Sequence, residues 1–132
     1  MKYTVLIAAV VIAFSTACEK KEKPAPGGME VFHEVMAESW HPVGDSGNFE
    51  PARRLAADLE QKARDWSAAA GVQESQETTA ALALLVDSCA AFRKAVDAGR
   101  PDSLLRPTLA EIHHIFHRLH ESKKEHKEAE HN

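Results

Sequence analysis

The chain has 132 residues, and 16 lysines and arginines face 20 aspartates and glutamates, which gives a formal net charge of −4. A mildly acidic balance argues against a nucleic-acid partner, which would require a basic face, so we expect none. The length is typical of one domain. The six glycines and six prolines fall mostly between periodic segments, a distribution that indicates a helical domain with short joins.

The beginning of the chain has the organisation of an export signal. Lys2 precedes an apolar run over residues 3–14, which is too short to span a membrane and suits the core of a signal peptide. The run ends in Ser15-Thr16-Ala17-Cys18. This string resembles the lipobox of bacterial lipoproteins, in which the cysteine is lipidated, although Ser15 stands where leucine is usual.

The lipoprotein resemblance implies a protein of the bacterial cell envelope. Residues 1–17 would be removed as a signal peptide, and Cys18 would carry a lipid anchor that holds the protein to the membrane, facing the periplasm. Glu19 follows the cysteine instead of the aspartate associated with inner-membrane retention, which favours the outer membrane. An ordinary secretory signal cleaved nearby is the alternative. Residues 18–28 then combine the lipidated cysteine with a charged, Pro- and Gly-containing tether that cannot build a core.

The rest of the chain contains four segments with the apolar periodicity of amphipathic helices. We expect helices from about Met29 to Trp40, from Pro51 to Ala70, from Gln76 to Ala98, and from a start between Ser103 and Pro107 to beyond His120. Residues 42–48 and 99–103 have the composition of loops. The predicted fold is all-α, an up-down-up-down four-helix bundle over residues 29–122. Residues 123–132 form a charged tail that we expect to fray as a solvated helical extension.

The fourth segment holds four of the eight histidines. At 3.6 residues per turn one narrow apolar stripe forms along it, composed of Leu105, Leu109, Ile112, Phe116 and Leu119. His113, His117 and His120 follow one flank of that stripe, and His114 points away from both. Imidazoles at positions i and i+4 can reach one metal ion because their Cβ atoms are neighbours on the helix surface.

These histidines predict a transition-metal site. In an antiparallel bundle the first and last helices are adjacent, which brings His33 from the first helix towards His117. The expected ligands are His33, His113 and His117, with His41 or His120 as a fourth. Imidazole ligands favour Zn, Cu, Ni or Co over Mg or Ca, and Met29 and Met36 lie near His33 and would tolerate Cu(I). The predicted role is metal sensing, buffering or transfer without catalysis, with a metal-transport or redox protein as the implied partner.

The layout of residues 29–121 also resembles the small periplasmic four-helix cytochromes of the b and c-prime types. The Cys-x-x-Cys-His motif that attaches c-type haem is absent from the sequence. The resemblance implies a rival function, electron transfer by haem b, with His33 and His117 as axial ligands. A second resemblance, to little-characterised helical proteins of the bacterial envelope, is carried by His33-x-x-Met36-x-x-x-Trp40-His41 and implies only fold and compartment. A structural or interaction bundle without a ligand is the third alternative.

Two further motifs are incomplete. His33-Glu34 and His120-Glu121 begin the zincin pattern His-Glu-x-x-His, but Ala37 and Lys124 occupy the position of the second histidine. Glu-x-x-His pairs resembling a di-iron signature begin at Glu30 and Glu111, and both glutamates are expected opposite the apolar stripes. Cys89 lies on the stripe of the third helix, where it is expected to be a small buried hydrophobe.

Overall fold

The computed structural model describes residues 28–71 and 74–129. Within these ranges the chain forms five helices and no strand: α1 (Gly28–Ser46), α2 (Glu50–Arg54), α3 (Ala56–Ala70), α4 (Gln76–Asp97) and α5 (Asp102–Ala129). The predicted all-α class is confirmed. Among the described helices, none has the length and apolar character needed to cross a membrane. The predicted signal peptide and Cys18 lie outside the described residues.

One hydrophobic core joins all five helices. All the residues of the stripe predicted on α5 are buried. The apolar residues that recur at heptad-like spacing in the second segment are buried as well, namely Ala52, Leu55, Leu59, Ala63 and Trp66. The largest fully buried side chains are those of Phe32, Met36, Leu59, Leu82, Leu85, Phe92, Leu105, Leu109, Ile112 and Ile115. Ile115 was not predicted to be buried, and it widens the apolar face of α5 beyond the narrow stripe.

The four long helices pack as neighbours in a ring. The most extensive contacts join α3 to α4 and α4 to α5, followed by those between α1 and α3, and α1 also contacts α5. These neighbours are the ones that a four-helix bundle requires. The up-down-up-down direction of the helices stays a prediction.

Helix α1 is longer than predicted, because it continues through Pro42 to Ser46. Proline removes one backbone donor from a helix, but Val43, the next residue, is 1% exposed and anchors the last turn in the core. The helix ends where Gly47 adopts a φ of 70°. The amide of Gly47 donates to the carbonyl of Val43, which is the single 5→1 bond of the αL motif that a glycine in the left-handed region permits, and the amide of Asn48 donates to the carbonyl of Pro42.

The predicted second helix is divided at Leu55. The short helix α2 precedes this residue and has Pro51 in its first turn, a position where proline costs no hydrogen bond. Leu55 is itself buried at the junction. The side chain of Arg53 then links α2 to the start of α5, since its Nη2 donates to the carbonyl of Arg100 at 2.8 Å and its Nε donates to Asp102 at 3.1 Å.

Helix α5 begins at Asp102, slightly earlier than predicted, and continues to Ala129. The turn before it contains the predicted break around Gly99 and Pro101. The charged tail predicted for residues 123–132 is helical over its described portion, and residues 130–132 lie outside the described part of the chain.

Burial on α5 gives the first testable prediction. Leu109→Ala should lower the free energy of unfolding by about 2–5 kcal/mol, because the lost side chain leaves a cavity among fully buried neighbours. Leu104 lies on the same helix and is 56% exposed, so Leu104→Ala is a matched control that should cost roughly 0.5 kcal/mol or less. Urea unfolding followed by circular dichroism measures both. Equal losses in the two variants would contradict the assigned face.

Candidate functional site

His113 and His117 form a close pair on the surface of α5. Their Nε2 atoms are 3.0 Å apart, so one ring donates a hydrogen bond and the other accepts it. The pair results from the i, i+4 spacing, because residues four apart are neighbours on a helix surface. The burial of Ile112 and Phe116 on the adjoining face fixes the helix so that the histidines lie beside the core. The predicted flank of imidazoles is therefore present, and two of its members contact each other.

Trp40 of α1 covers the ring of His113. The two ring centroids are 4.9 Å apart with an interplanar angle of 21°. Burial lowers the pKa of His113 below its ordinary value, and the like charges of His117, His114, His41 and His33 lower it further. A lowered pKa keeps the imidazole neutral to a more acidic pH, and the neutral ring is the form that binds metals.

His33 of α1 reaches α5 one turn further along. Its ring lies flat on that of Phe116, with centroids 5.0 Å apart and an interplanar angle of 3°. The ring of His120 also stacks with that of Phe116, at a longer centroid distance of 6.1 Å. Phe116 is 4% exposed. Two predicted ligands, His33 of α1 and His120 of α5, therefore stack on the ring of this one residue.

A groove of about 260 Å³ opens between α1 and α5 beside the histidine pair. Three of its lining residues are the predicted ligands His33, His117 and His120, and the other three are Met29, Glu30 and Phe116. His117 is shared between the two features, because it contacts His113 and also lines the groove. The groove and the histidine pair together are called the histidine site below.

The structure brings the five predicted ligands into one region without gathering them around one point. In the described ranges there is no group of three His, Cys, Asp or Glu side chains placed closely enough to hold a metal ion. His113 and His117 are in contact, while His33 and His120 line the groove. His41 is exposed. It is close enough to His113 for its positive charge to lower the pKa of that residue.

Three further residues of this region make contacts that the sequence does not predict. Trp40 is expected only as the end of the first helix, and its stack on His113 depends on how far α5 is shifted along α1. Glu30 is expected opposite the apolar stripe of its helix, and it nevertheless lines the groove. Met29 is expected near His33, and the structure adds that it lines the same groove as His117 and His120. Spacing along one helix carries no information about contacts made across two.

Two other chemically notable groups lie apart from the site. Cys89 is fully buried, and burial raises the pKa of its thiol to about 12, in keeping with the expected role as a small hydrophobe. Glu111 is exposed on α5 and lies 3.7 Å from the guanidinium of Arg118, and His114 is also exposed. Both lie away from the core, on the side of α5 opposite its apolar stripe, as the periodicity predicts.

Comparison with known proteins adds no relative. No protein-family model matches the chain, and neither the curated proteins nor the solved structures contain a match. The resemblances to periplasmic cytochromes and to envelope lipoproteins therefore stay expectations based on the sequence.

The environment of His113 leads to the second prediction. A proton titration followed by NMR should give His113 a pKa below the ordinary value of about 6.5, and Trp40→Ala should move it back towards that value by readmitting water. The imidazole then takes up a proton at a higher pH in the unfolded chain than in the folded chain. The free energy of unfolding therefore decreases as the pH falls below about 6.5, and the decrease stops once the folded protein is protonated as well.

The exposed substitution Leu104→Ala serves as the control for this titration and should leave the pKa of His113 unchanged. A pKa at or above the ordinary value in the unmodified protein would contradict the stacked, partly dehydrated position of the ring.

Proposed function

We propose that this protein binds a transition metal ion through the histidine site, with sensing, buffering or transfer of the metal as its role. The observation that supports the proposal most directly is the contact between Nε2 of His113 and Nε2 of His117. Two neutral imidazoles with their nitrogens adjacent on one helix face are a bidentate arrangement for a metal ion, which would replace the proton that they share. The lowered pKa of His113 favours the ligand form.

The other proposed ligands lie in the groove beside the His113–His117 pair or close to it. His33 and His120 line the groove that His117 borders, and all three are exposed side chains that can change rotamer. His41 is the further candidate on α1. Zinc sites take four ligands, some of which are water in open sites, so two to four of these imidazoles with water complete a site. Imidazole ligation suits Zn, Cu, Ni or Co.

We infer an up-down-up-down bundle as the frame of the site. Contacts between α1 and α5 support an antiparallel pair, because His33 near the start of α1 contacts Phe116, and Trp40, further along α1, contacts the earlier residue His113. The ion pair between Glu60 of α3 and Arg93 of α4 supports the same arrangement, since it joins the early part of one helix to the late part of the next. An antiparallel α1 and α5 place histidines from both helices at one end.

Haem b is the second candidate for the same residues. The observation in its favour is that His33 and His117 line one groove together with the aromatic ring of Phe116. The imidazole pair on α5 favours a metal ion, because a contact between Nε2 atoms on one helix has no part in axial ligation from two helices. A visible absorption spectrum of protein isolated from cell envelopes, together with elemental analysis, distinguishes haem, a metal ion and a bundle without a ligand.

The envelope location completes the proposal. An anchor at Cys18 with a tether to Gly28 would hold the helices beside the membrane, on its periplasmic side and with the outer membrane favoured. There the protein would exchange metal with a metal-transport or redox partner and would not act as an enzyme. This part of the proposal depends on the sequence of residues 1–27 alone.

The metal proposal predicts a stabilisation that depends on pH. At about pH 7.5, Zn²⁺ or Cu²⁺ should raise the melting temperature, since an ion that binds only the folded state stabilises it. The gain should fade by about pH 5.5, because protons compete for the imidazoles below a pKa near 6.5. Differential scanning fluorimetry with and without a chelator measures the shift.

Substitutions identify the ligands in the same experiment. His117→Ala should abolish most of the gain, as should His33→Ala and His113→Ala. His114→Ala is the matched control, because this histidine is on the same helix, is exposed and points away from the groove. If His114→Ala costs as much as His117→Ala, the binding is nonspecific. If none of the metals moves the melting temperature, the metal proposal is wrong.

The anchoring proposal has its own test. Cys18→Ala should release the protein from the membrane fraction to the soluble periplasmic fraction, because the thiol that receives the lipid is lost. Cell fractionation followed by immunoblotting measures the distribution, and Cys89→Ala serves as the cysteine control. Identical fractionation of the Cys18→Ala protein and the parent would contradict lipidation.

A further inference from the structure

The two methionines of α1 have different surroundings. Met36 is fully buried in the hydrophobic core. Met29, two turns earlier, is partly exposed and lines the groove with His33, His117 and His120. Both were expected near His33 from the sequence, and only Met29 presents its side chain to the groove. One thioether sulfur therefore accompanies the exposed imidazoles.

We propose that the histidine site is selective for cuprous copper, with the Met29 sulfur as a ligand beside His117 and a second groove imidazole. This inference rests on the proposed metal-binding function and adds the identity and valence of the metal. Soft thioether ligands select Cu(I), whereas Zn²⁺ and Cu²⁺ bind well to imidazole and gain little from sulfur of this kind. Among the described residues that line the groove, Met29 is the one whose ligand atom makes this distinction.

The charge of the groove favours the same ion. Neutral imidazoles and a thioether carry no charge, and Glu30 contributes one carboxylate to the lining. One negative charge balances a monovalent cation and leaves a divalent ion with an excess positive charge. The apolar surfaces of Phe116 and Met29 make that excess costly, because transferring charge from water to less polar surroundings is unfavourable.

The number of ligands is also suited to Cu(I), which is stable with few ligands. Zn²⁺ in a closed structural site takes four, and the described part of the chain holds no three His, Cys, Asp or Glu side chains placed closely enough to bind an ion. A site that combines one thioether with two imidazoles uses side chains that already line the groove, and its histidines are exposed and free to change rotamer. Met29, at the second position of α1, is half-buried and packs against the edge of the core.

The test is a competition for Cu(I) between the full protein and a chromophoric cuprous chelator, without oxygen and with ascorbate. The variant is Met29→Leu, which keeps the shape and removes the sulfur. We expect it to lower the Cu(I) affinity by roughly tenfold or more, while the Zn²⁺ affinity, measured by competition with a zinc chelator, changes by less than about twofold. Met36→Leu is the matched control, since it makes the same change in the core and should leave both affinities unchanged.

The outcomes separate this inference from the function on which it rests. If Met29→Leu leaves the Cu(I) affinity unchanged while His117→Ala abolishes it, the site binds copper through imidazoles alone and the methionine inference is wrong. Equal losses of Cu(I) and Zn²⁺ in Met29→Leu would likewise overturn it, because the methionine would then act through packing. If the unmodified protein binds neither ion, the metal-binding function itself fails.

Discussion

Burial of one face of α5 determines where everything else on that helix lies. Leu105, Leu109 and Ile112 are fully buried, and Phe116 and Leu119 almost so, which fixes the rotation of the helix about its axis. Rotating the helix by a single residue would move these side chains into water at a cost of about 1.5–3 kcal/mol each. The histidines of α5 are mostly exposed and contribute little burial free energy that would fix the rotation of the helix. They occupy the flank because the apolar residues leave them no other position.

The sequence was sufficient where a repeat along one helix decides which side chains are buried. Periodicity alone predicted the burial of Leu59, Ala63 and Trp66 on α3 and the buried stripe of α5, because each set is a repeat along a single helix. It failed at Pro42, where loop composition outweighed the burial of Val43 and the glycine cap that ends α1. It also missed Ile115, since α5 packs against two neighbours and needs a wider apolar face than one partner would require.

The candidate site divides in the same way. The i, i+4 spacing predicts the contact between His113 and His117, because both residues belong to α5. The stacks of Trp40 on His113 and of His33 on Phe116 depend on how α1 and α5 are aligned along their axes. Many side chains across the whole interface set that alignment, so no short pattern records it. For a site between two helices, the sequence pattern therefore predicts the contacts within each helix but not those between the helices.

The burial of Cys89 has a consequence for the proposed metal binding. A cysteine binds soft metals as a thiolate, more tightly than a thioether or an imidazole can. Burial raises the pKa of this thiol to about 12, so it stays protonated at neutral pH, and the side chain is fully enclosed by the core. This thiol is therefore not presented to ions at the surface. Under the proposed function, copper would be held only by the imidazoles and the thioether of the histidine site, which bind it less tightly than a thiolate and would release it more readily to another protein.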